Sequence, residues 1–429
     1  MNVMIIGSGG REHALAWKSA QSTQVDRVFV IPGNAGTANE PGVENVALDI
    51  GDFEALTAFA TENNVGLTII GPEAPLVDGI VDVFQESNLE CFGPSSGAAQ
   101  LEGSKAFTKD FLARHNIPTA AYQNFTEVEP AVAYMKEQGT PIVIKADGLA
   151  AGKGVIIAQT EQEAESTIRD MLSGNSFGEA GHRVVIEEFM QGEEASFIAL
   201  VDGRNALPFA TSQDHKARDE GDTGPNTGGM GAYSPAPVVT PDIHERIMKE
   251  VIMPTVNGMA EEGNTYVGFL YAGLMITADG TPKVVEYNCR FGDPEAQPIM
   301  MRLNSDLVSL CQAALAGQLD ATEIDFDDRA CLGVVLAADG YPGSYEKGKV
   351  ISGLDADSGS TDSKIFHAGT TIAEGDTVTN GGRVLCSTAL GQNVTEAQAK
   401  AYALASQIDW NGVCYRKDIG HRAIAREAG

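Results

Sequence analysis

The chain has 429 residues and a formal net charge of −30, from 29 basic and 59 acidic side chains. This length allows several domains with their own cores, and 43% hydrophobic residues together with 48 glycines are typical of a loop-rich α/β enzyme. So strong a negative charge repels nucleic acids and anionic membranes, and neither is expected as a partner.

The six cysteines are scattered and form no C-x-x-C pair, which argues against a disulfide framework and against a zinc site. The N-terminal residues lack the charged and apolar segments of a signal peptide. No uncharged apolar run is long enough to cross a bilayer. We therefore expect a cytoplasmic protein.

Residues 1–102 alternate short apolar runs with helical patterns, which predicts a doubly wound parallel sheet. The first turn, GSGGREH, lets an anion approach a helix N-terminus. It breaks the dinucleotide fingerprint, because Glu12 stands where the third small residue belongs, so NAD binding is disfavoured. The predicted strands and helices cover residues 3–6, 28–31, 44–48, 67–70 and 90–92, and residues 14–19, 53–63 and 79–86, respectively.

Residues 141–157 contain two apolar strands flanking a loop rich in glycine and alanine. Lys145 ends the first strand and Lys153 lies in the loop, but the glycine spacing and the following strand exclude a Walker A motif. A hairpin tip such as that around Gly152 and Gly154 can place backbone N–H groups over phosphates as a flexible lid. A plain glycine-rich hairpin is the alternative.

Three other segments carry polar groups suited to a ligand. Ser104 is a good N-cap, and Lys105 in the first turn of that helix opposes the helix dipole, which favours an anionic ligand nearby. Residues 184–189 form a buried strand that ends in acids and could pair with an adenine edge. The segment 222–233 has no hydrophobic period, and a long loop of this kind is typically functional or disordered; its position between clear strands and helices favours function.

The sequence VVEYNCRFGDPE, residues 284–295, predicts a strand followed by a sharp turn. Strand alternation puts Glu286, Asn288 and Arg290 on one face. The opposite face then carries Val285, Tyr287 and Cys289. Carboxylate and amide oxygens suit Mg²⁺, and a guanidinium suits a phosphate or carboxylate. The alternative is an edge strand with a solvated polar face.

A hairpin of residues 266–277 and 282–288 delivers these side chains, after a helix predicted over residues 242–262. From about residue 326, strand patterns and one helical pattern predict a small α+β domain. Its predicted strands are residues 330–337, 363–367 and 382–390, and its helix is residues 397–408.

Taken together, five motifs resemble those of the phosphoribosylamine–glycine ligase (glycinamide ribonucleotide synthetase) family of ATP-grasp ligases. They are GGREHAL at 9–15, LEGSK at 101–105, KADGLAAGKG at 145–154, GPNTGGMG at 224–231 and NCRFGDPE at 288–295. The resemblance covers essentially the whole chain, and RFGDPE is its most specific part.

The resemblance implies an α/β architecture of three domains. The N-terminal domain is Rossmann-like, of the pre-ATP-grasp type, and is followed by an ATP-grasp body with a mobile lid subdomain and by a small C-terminal α+β domain. The implied boundaries are 1–102, 103–325 with the lid at about 123–190, and 326–429.

The implied activity is the second step of de novo purine biosynthesis. ATP, glycine and 5-phosphoribosylamine give glycinamide ribonucleotide, ADP and phosphate through a glycyl phosphate intermediate, with Mg²⁺ or Mn²⁺. The partners implied are these small molecules, and the chain is expected to be a monomer. Such chemistry needs positioning and charge neutralisation more than a covalent residue.

The resemblance also implies roles for individual residues. Nucleotide contacts fall to Lys105, Lys145, Gly152, Lys153, Gly154, Glu187, Phe189 and Glu194, and metal ligation to Glu286 and Asn288. Substrate contacts fall to Gly9, Gly10, Arg11, Glu73, Pro75, Asp214, Lys216, Asn226, Thr227, Gly228, Arg290 and Asp293. The candidate catalytic residues are Arg290, Lys145 and Asp293.

Two departures from the family pattern stand out. Ala217 occupies a position where a basic residue is expected, with Arg218 one place further on. The strand preceding the E-x-N strand carries no acid, so a metal would rely on phosphate oxygens and water. Three alternatives stay open, namely another ATP-grasp ligase such as a carboxylase-type or purine-pathway member, a dehydrogenase, and a non-catalytic nucleotide-binding protein.

Overall fold

A computed structural model of the chain describes residues 1–149, 154–173, 182–357 and 359–429. The fold is mixed α/β, with a parallel sheet at the N-terminus and antiparallel sheets elsewhere, which confirms the predicted fold class. Gly152 and Lys153, which the sequence assigns to the phosphate-covering hairpin tip, lie outside the described residues. In the described part of the chain, no helix is long and apolar enough to span a membrane.

The first sheet has five parallel strands. From the first strand of the chain, the sheet grows outwards in one direction and then, beginning with the fourth strand of the chain, in the other. In chain order the strands β1 to β5 are Asn2–Gly7, Arg27–Pro32, Val43–Asn45, Val65–Ile70 and Cys91–Phe92. The helices α1 to α4 are Gly10–Ser19, Phe53–Glu62, Glu73–Val77 and Ile80–Glu86. The spatial order is β3-β2-β1-β4-β5, so the turn after β1 lies at the switch point where open α/β sheets bind ligands.

Alternation along β1 shows why both faces of this sheet are covered. Val3 and Ile5 pack into one hydrophobic cluster, Met4 and Ile6 pack into another, and all four are fully buried. A parallel sheet buried on both sides needs such a continuous apolar run.

The second unit opens with the helices α5 and α6, Gln100–Gly103 and Lys105–Arg114, and the Ser104 side chain caps α6 by accepting a hydrogen bond from the Phe107 N–H. Next comes an antiparallel sheet with its own core. Its strands β6 to β9 are Tyr122–Phe125, Ile142–Ala146, Val155–Ala158 and Val184–Glu188, and its helices α7 and α8 are Val128–Gln138 and Glu161–Leu172. The predicted hairpin is present, since Ile142–Ala146 pairs antiparallel with Val155–Ala158.

A four-stranded antiparallel sheet forms the floor below this unit. Its strands β10, β11, β16 and β17 are Glu193–Asp202, Ala206–Pro208, Val267–Ile276 and Pro282–Asn288. The predicted helix at 242–262 is present as α9 and α10, Pro241–Ile247 and Met253–Glu261, joined through a π-helical turn at Met248–Ile252.

The last strand of the floor sheet departs from the predicted alternation. A bulge between Gly273 and Leu274 in the pairing skips Val285, so Val284 is fully buried while Val285 faces the cleft beside Glu286. The prediction that Val285 shares a face with Tyr287 and Cys289 is therefore wrong. A bulge inserts one residue and shifts the alternation on one side of it.

A six-stranded sheet includes strands from two distant parts of the chain. Its strands β12, β15, β18, β19, β22 and β23 are Gln213–Asp214, Gly231–Ser234, Ala330–Ala338, Ser363–His367, Arg383–Gly391 and Val413–Cys414. Two smaller hairpins stand beside it, β13 with β14 (Ala217–Asp219 and Thr223–Asn226) and β20 with β21 (Thr370–Ala373 and Asp376–Thr379). The segment 222–233 is therefore not the structureless loop that its composition indicates.

The remaining helices link or cover the sheets. The helices α11 to α14 are Ala296–Arg302, Leu307–Leu315, Val394–Ala405 and His421–Glu427. The first sheet and the six-stranded sheet are joined by a buried polar cluster, in which His13 Nε2 lies 2.9 Å from Glu40 Oε1 and the His367 N–H donates to His13 Nδ1 at 2.8 Å. The four large sheets and their connections surround one cleft.

Candidate active site

A cleft with a cavity volume of about 770 Å³ lies where three parts of the chain meet. They are the first sheet with its helices, the second unit with the floor sheet, and the six-stranded sheet, which we call the third unit. Most of the side chains singled out in the sequence line it, although they are spread over more than 280 positions of the chain. They are Arg11, Glu73, Lys105, Lys145, Gly154, Glu187, Phe189, Glu194, Asp214, Lys216, Asn226, Thr227, Gly228, Glu286, Asn288, Arg290 and Asp293.

Three of the predicted substrate residues do not line this cleft. Pro75 is buried within α3, and Gly10 packs against the side chain of Gln297, where a Cβ would overlap the Gln297 amide. Gly9 lines a neighbouring cavity of about 410 Å³ at the carboxyl end of the first sheet. These positions shape the wall behind the cleft and do not face it directly.

Glu12 explains why the glycine-rich turn does not read as a dinucleotide site. Its carboxylate accepts the Gly9 N–H at 2.6 Å and pairs with Arg11 Nε at 2.6 Å. It also fills the space above Gly7, which has φ +128°, so closely that a Cβ there would lie 2.5 Å from Glu12 Cγ. A protein carboxylate thus already occupies the concavity that a pyrophosphate needs.

Glu286 lies on the cleft face of β17 among lysines. Its Oε1 is 3.3 Å from Lys216 Nζ, and the same ammonium is 3.2 Å from Glu194 Oε2. The positive charge of Lys216 lowers the pKa of Glu286 to about 2 against the effect of burial, with Lys145 and Lys105 assisting. Glu286 is therefore ionised across the physiological range.

Glu286 and Asn288 give the cleft two hard oxygen donors on one strand. Within the described ranges no cluster of three or more His, Cys, Asp or Glu side chains could hold a metal ion by itself. One ionised carboxylate and one amide oxygen fit Mg²⁺ or Mn²⁺ when phosphate oxygens and water supply the remaining ligands.

Glu187 is held between two lysines at the base of the cleft. Its carboxylate oxygens lie 2.9 Å from Lys145 Nζ and 2.8 Å from Lys109 Nζ, and all three residues are buried. Because the Glu187 side chain is engaged in this way, adenine would meet the end of the strand near Phe189 more readily than the Glu187 carboxylate. Adenine pairing by these residues stays a prediction.

The hairpin of β7 and β8 contacts the start of α6 through Lys105. The Lys105 ammonium donates to the Gly148 carbonyl at 2.7 Å, and burial lowers its pKa although Glu286 acts in the opposite direction. The Gly154 carbonyl accepts the Ala146 N–H at 2.8 Å, which closes the described end of the hairpin.

Arg290 forms ion pairs with two acids where the first sheet and the second unit meet. Its guanidinium lies 3.0 Å from Glu102 Oε1 and 3.3 Å from Glu73 Oε2. Burial opposes its charge, but Glu102 and Glu73 outweigh burial and raise the pKa of Arg290. Burial raises the pKa of Glu102 to about 7, even though the Cys289 N–H also donates to Glu102 at 2.6 Å.

Asp293 joins three parts of the chain. It accepts the Arg11 N–H at 3.4 Å and the Gln297 side-chain amide at 3.2 Å, and it lies 3.4 Å from Arg383 Nη2. Burial opposes its ionisation, but Arg383 and Arg11 lower its pKa overall. Arg383 also donates to the Gly228 carbonyl at 2.6 Å, so Asp293 acts within a network that fixes the turn after β17.

The glycine-rich motif at 224–231 supports Lys216. The Thr227 N–H and hydroxyl both donate to the Lys216 carbonyl, at 2.8 and 2.9 Å. The expected extra basic residue does not reach the cleft, because Arg218 pairs with Asp219 at 2.8 Å. Lys216 is therefore the basic group that this segment supplies.

The far wall of the cleft carries a polar group that the sequence analysis missed. Tyr271 OH and Ser196 Oγ both donate to Glu295 Oε1 at 2.9 Å. Asp214 lies on the same wall, where burial raises its pKa to about 8, with Lys216 opposing and Glu295 reinforcing the shift. The raised pKa leaves Asp214 mostly protonated at neutral pH, and the carboxyl oxygens of this wall are acceptors that suit an ammonium or amine.

Other missed residues differ in how they could have been found. Glu295 and Glu102 lie inside motifs that were recognised, and their role could have been inferred from those motifs. Tyr341, Tyr345 and Arg383 line the cleft from the third unit, and no local pattern in the sequence points to them.

Antiparallel sheets that enclose a lysine-rich cleft, with an E-x-N strand along its floor, define an ATP-grasp enzyme. Family models for the N domain, the ATP-grasp (A) domain and the C domain of phosphoribosylglycinamide synthetase match residues 1–102, 103–296 and 331–422. The chain belongs to this family.

Individual relatives agree along the whole chain. A phosphoribosylamine–glycine ligase of Vibrio cholerae is 70% identical over 427 residues, which covers 100% of this chain and 99% of the relative. One of Pseudomonas aeruginosa is 68% identical over 429 residues and covers 100% of both chains. The crystal structure of the Thermotoga maritima ligase superposes with a TM-score of 0.84 at 35% identity, over 98% of this chain and 100% of that one.

Proposed function

We propose that this chain joins glycine to 5-phosphoribosylamine with cleavage of ATP to ADP and phosphate, giving glycinamide ribonucleotide. This is the second step of de novo purine biosynthesis. The observation that supports it most is the full-length match to phosphoribosylamine–glycine ligases, combined with the convergence of all five motifs on one cleft. The reaction passes through glycyl phosphate, because a carboxylate must be activated before an amine can attack it.

The residues of the cleft divide this chemistry between them. Lys105 and Lys145 neutralise the phosphates of ATP, and Glu286 with Asn288 would hold Mg²⁺ or Mn²⁺. When bound, the metal would compensate the negative charge of the phosphates during transfer. Arg290 faces the phosphoryl group in transfer or the carboxylate of glycine. None of these roles requires a covalent enzyme intermediate.

The two substrates other than ATP bind against the remaining walls of the cleft. The amine of 5-phosphoribosylamine attacks the carbonyl carbon of glycyl phosphate, and the tetrahedral intermediate expels phosphate, so the amine must be held within bonding reach of that carbon. Arg11, Glu73 and Asp293, at the junction with the first sheet, contact this substrate. Closure of the lid excludes water, which protects the acyl phosphate from hydrolysis. The chain acts as a monomer in the cytoplasm, with small molecules as its partners.

ADP release with each substrate omitted in turn tests this function. We expect ADP only when glycine and 5-phosphoribosylamine are both present. Equal turnover with bicarbonate or formate in place of glycine would indicate a different ATP-grasp ligase. Nucleotide binding without ADP release under any condition would indicate a non-catalytic binding protein.

A further inference from the structure

A buried trio of charges, Lys109, Glu187 and Lys145, lies beneath the nucleotide side of the cleft. Lys109 has no role in the function proposed above. Lys109 on α6 is 2% exposed, and its ammonium lies 2.8 Å from Glu187 Oε2. Lys145 on β7 takes the other oxygen of the same carboxylate at 2.9 Å. The two lysines therefore share one acid.

The trio is also tied to the strand that carries the proposed metal ligands. The Lys109 ammonium donates to Thr119 Oγ1 at 2.6 Å, and the Thr119 hydroxyl donates to the Val284 carbonyl at 2.6 Å. Lys145 donates directly to the Val285 carbonyl at 3.0 Å. Both connections reach the bulge in β17 immediately before Glu286.

Two ammonium groups and one carboxylate leave the trio with a net charge of +1. A buried single pair would be neutral. With Lys109 present, one oxygen of Glu187 is taken up and the trio by itself keeps one positive charge in excess, which Glu188 and Glu286 offset only from outside salt-bridge distance. Burying such a charge is costly, and an anion bound nearby relieves that cost.

We propose that Lys109 is a positioning residue for the nucleotide. It shares Glu187 with Lys145, which keeps Lys145 available to a phosphate and, through Thr119, fixes the strand that carries Glu286. This inference rests on the proposed function for the identity of the anion, a nucleoside di- or triphosphate. Lys109 acts through Glu187 and Thr119.

The variant Lys109→Met tests this inference, because it keeps the length of the side chain and removes its charge. We expect the dissociation constant of ADP, measured by calorimetry at fixed Mg²⁺, to rise on the order of 10- to 100-fold, as loss of a buried charge near a phosphate predicts. The KM for ATP should rise in parallel and kcat should fall less. Lys136→Met is the matched control, since Lys136 is an exposed lid lysine paired with Glu165 at 3.0 Å.

A double-mutant cycle separates positioning from packing. If Lys109 acts through Glu187, the combined variant Lys109→Met/Glu187→Gln should lose much less affinity for ADP than the two single losses added together. Additive losses, or an unchanged ADP affinity in Lys109→Met, would overturn the proposal. Thr119→Val provides a second, milder test, because it removes the relay hydroxyl and should weaken ADP binding several-fold.

The wild-type protein provides an independent readout. Burial lowers the pKa of Lys109 to about 8, with Glu187 opposing that shift and Lys145 adding to it. The groups that face this ammonium are Glu187 and Glu188 on β9, Lys145 on β7 and the Tyr122 ring, 5.8 Å away, on β6. ADP affinity should therefore weaken above about pH 8 more steeply in the wild type than in Lys109→Met. Parallel pH profiles would overturn the proposal.

A failure of the proposed function can be distinguished from a failure of this inference about Lys109. If ADP release did not depend on glycine, while the ADP affinity of the variants changed as expected, the reaction assigned above would be wrong and the role of Lys109 would stand.

Discussion

Replacing Glu286 by glutamine removes one charge from the centre of the cleft with little change in volume. In an acidic protein this change is expected to relieve repulsion and leave folding unharmed or slightly improved. The structure reverses that expectation, because the nearest charge to Glu286 is the Lys216 ammonium at 3.3 Å. Removing the carboxylate leaves Lys216 with fewer counter-charges, so the variant should be less stable.

The size of the effect follows from the pKa of Glu286. A fall from the ordinary 4.5 to about 2 corresponds to an upper bound of about 3 kcal/mol of stability at neutral pH. The Glu286 side chain is 37% exposed, so solvent screening reduces this bound to about 1–2 kcal/mol. A lowered carboxyl pKa stabilises the fold above pH 4.5, and this contribution is lost as the pH falls through about 2.

Two assays check the Glu286→Gln variant. Urea unfolding at pH 7 should show the loss of about 1–2 kcal/mol relative to the wild type, and the gap should narrow as the pH is lowered from 4.5 towards 3. Turnover against Mg²⁺ concentration should show a rate lower by roughly 10²- to 10⁴-fold, while ADP affinity falls less because the lysines remain.

The control is Glu250→Gln, a carboxylate of similar partial exposure (32%) that pairs with Arg246 at 2.9 Å away from the cleft. It should change neither the rate nor the Mg²⁺ dependence. Superimposable Mg²⁺ curves for the wild type and Glu286→Gln would remove Glu286 from the metal site and refute this reasoning.

Two further substitutions probe the walls of the cleft. Burial raises the pKa of Asp214 to about 8, so the wild type loses stability as the pH rises from about 4 to 8, because Asp214 ionises in the unfolded chain and keeps its proton in the folded one. Asp214→Asn should therefore gain stability relative to the wild type across that window in unfolding experiments, and a constant difference would contradict it. Gly229 has φ +112°, and a Cβ added there would lie 2.4 Å from Pro294 Cδ. Gly221 also has a positive φ, +68°, but a Cβ added there would meet no atom within 4 Å. Gly229→Ala should therefore lower the melting temperature and turnover far more than Gly221→Ala, and equal effects would show that backbone strain alone matters.

Local sequence patterns predict the helices and strands of this fold well where capping residues or turn residues adjoin a regular hydrophobic pattern. The N-cap at Ser104, the hairpin around the lid and the parallel strands of the first sheet all follow from short stretches of sequence. Alternation fails at Val285, because a bulge depends on how β16 pairs with β17 and leaves no mark on either strand alone. The strands of the segment 222–233 were missed for two reasons: β15 pairs with the distant β18, and β14 pairs with the neighbouring β13 without an apolar alternation in its sequence.

The candidate site divides along the same line. Motifs identify Glu286, Asn288 and Lys145, because their spacing carries the chemistry. Lys109 and Arg383 carry no such signal, since an isolated basic residue is usually a surface residue. Their roles depend on contacts across long sequence separations, 78 positions between Lys109 and Glu187 and 90 between Asp293 and Arg383.

The cations of this cleft are held in place before any substrate binds, and this explains how so acidic a chain can handle ATP. Lys216 is braced by two carboxylates, Arg290 by two others, and Lys145 shares its acid with Lys109. Each pairing reduces the cost of burying a charge and removes the need to reorganise it during phosphoryl transfer. Beyond a Debye length of about 8–10 Å the acidic surface is screened, so the potential that a phosphate meets is set by these paired cations and not by the net charge of the protein.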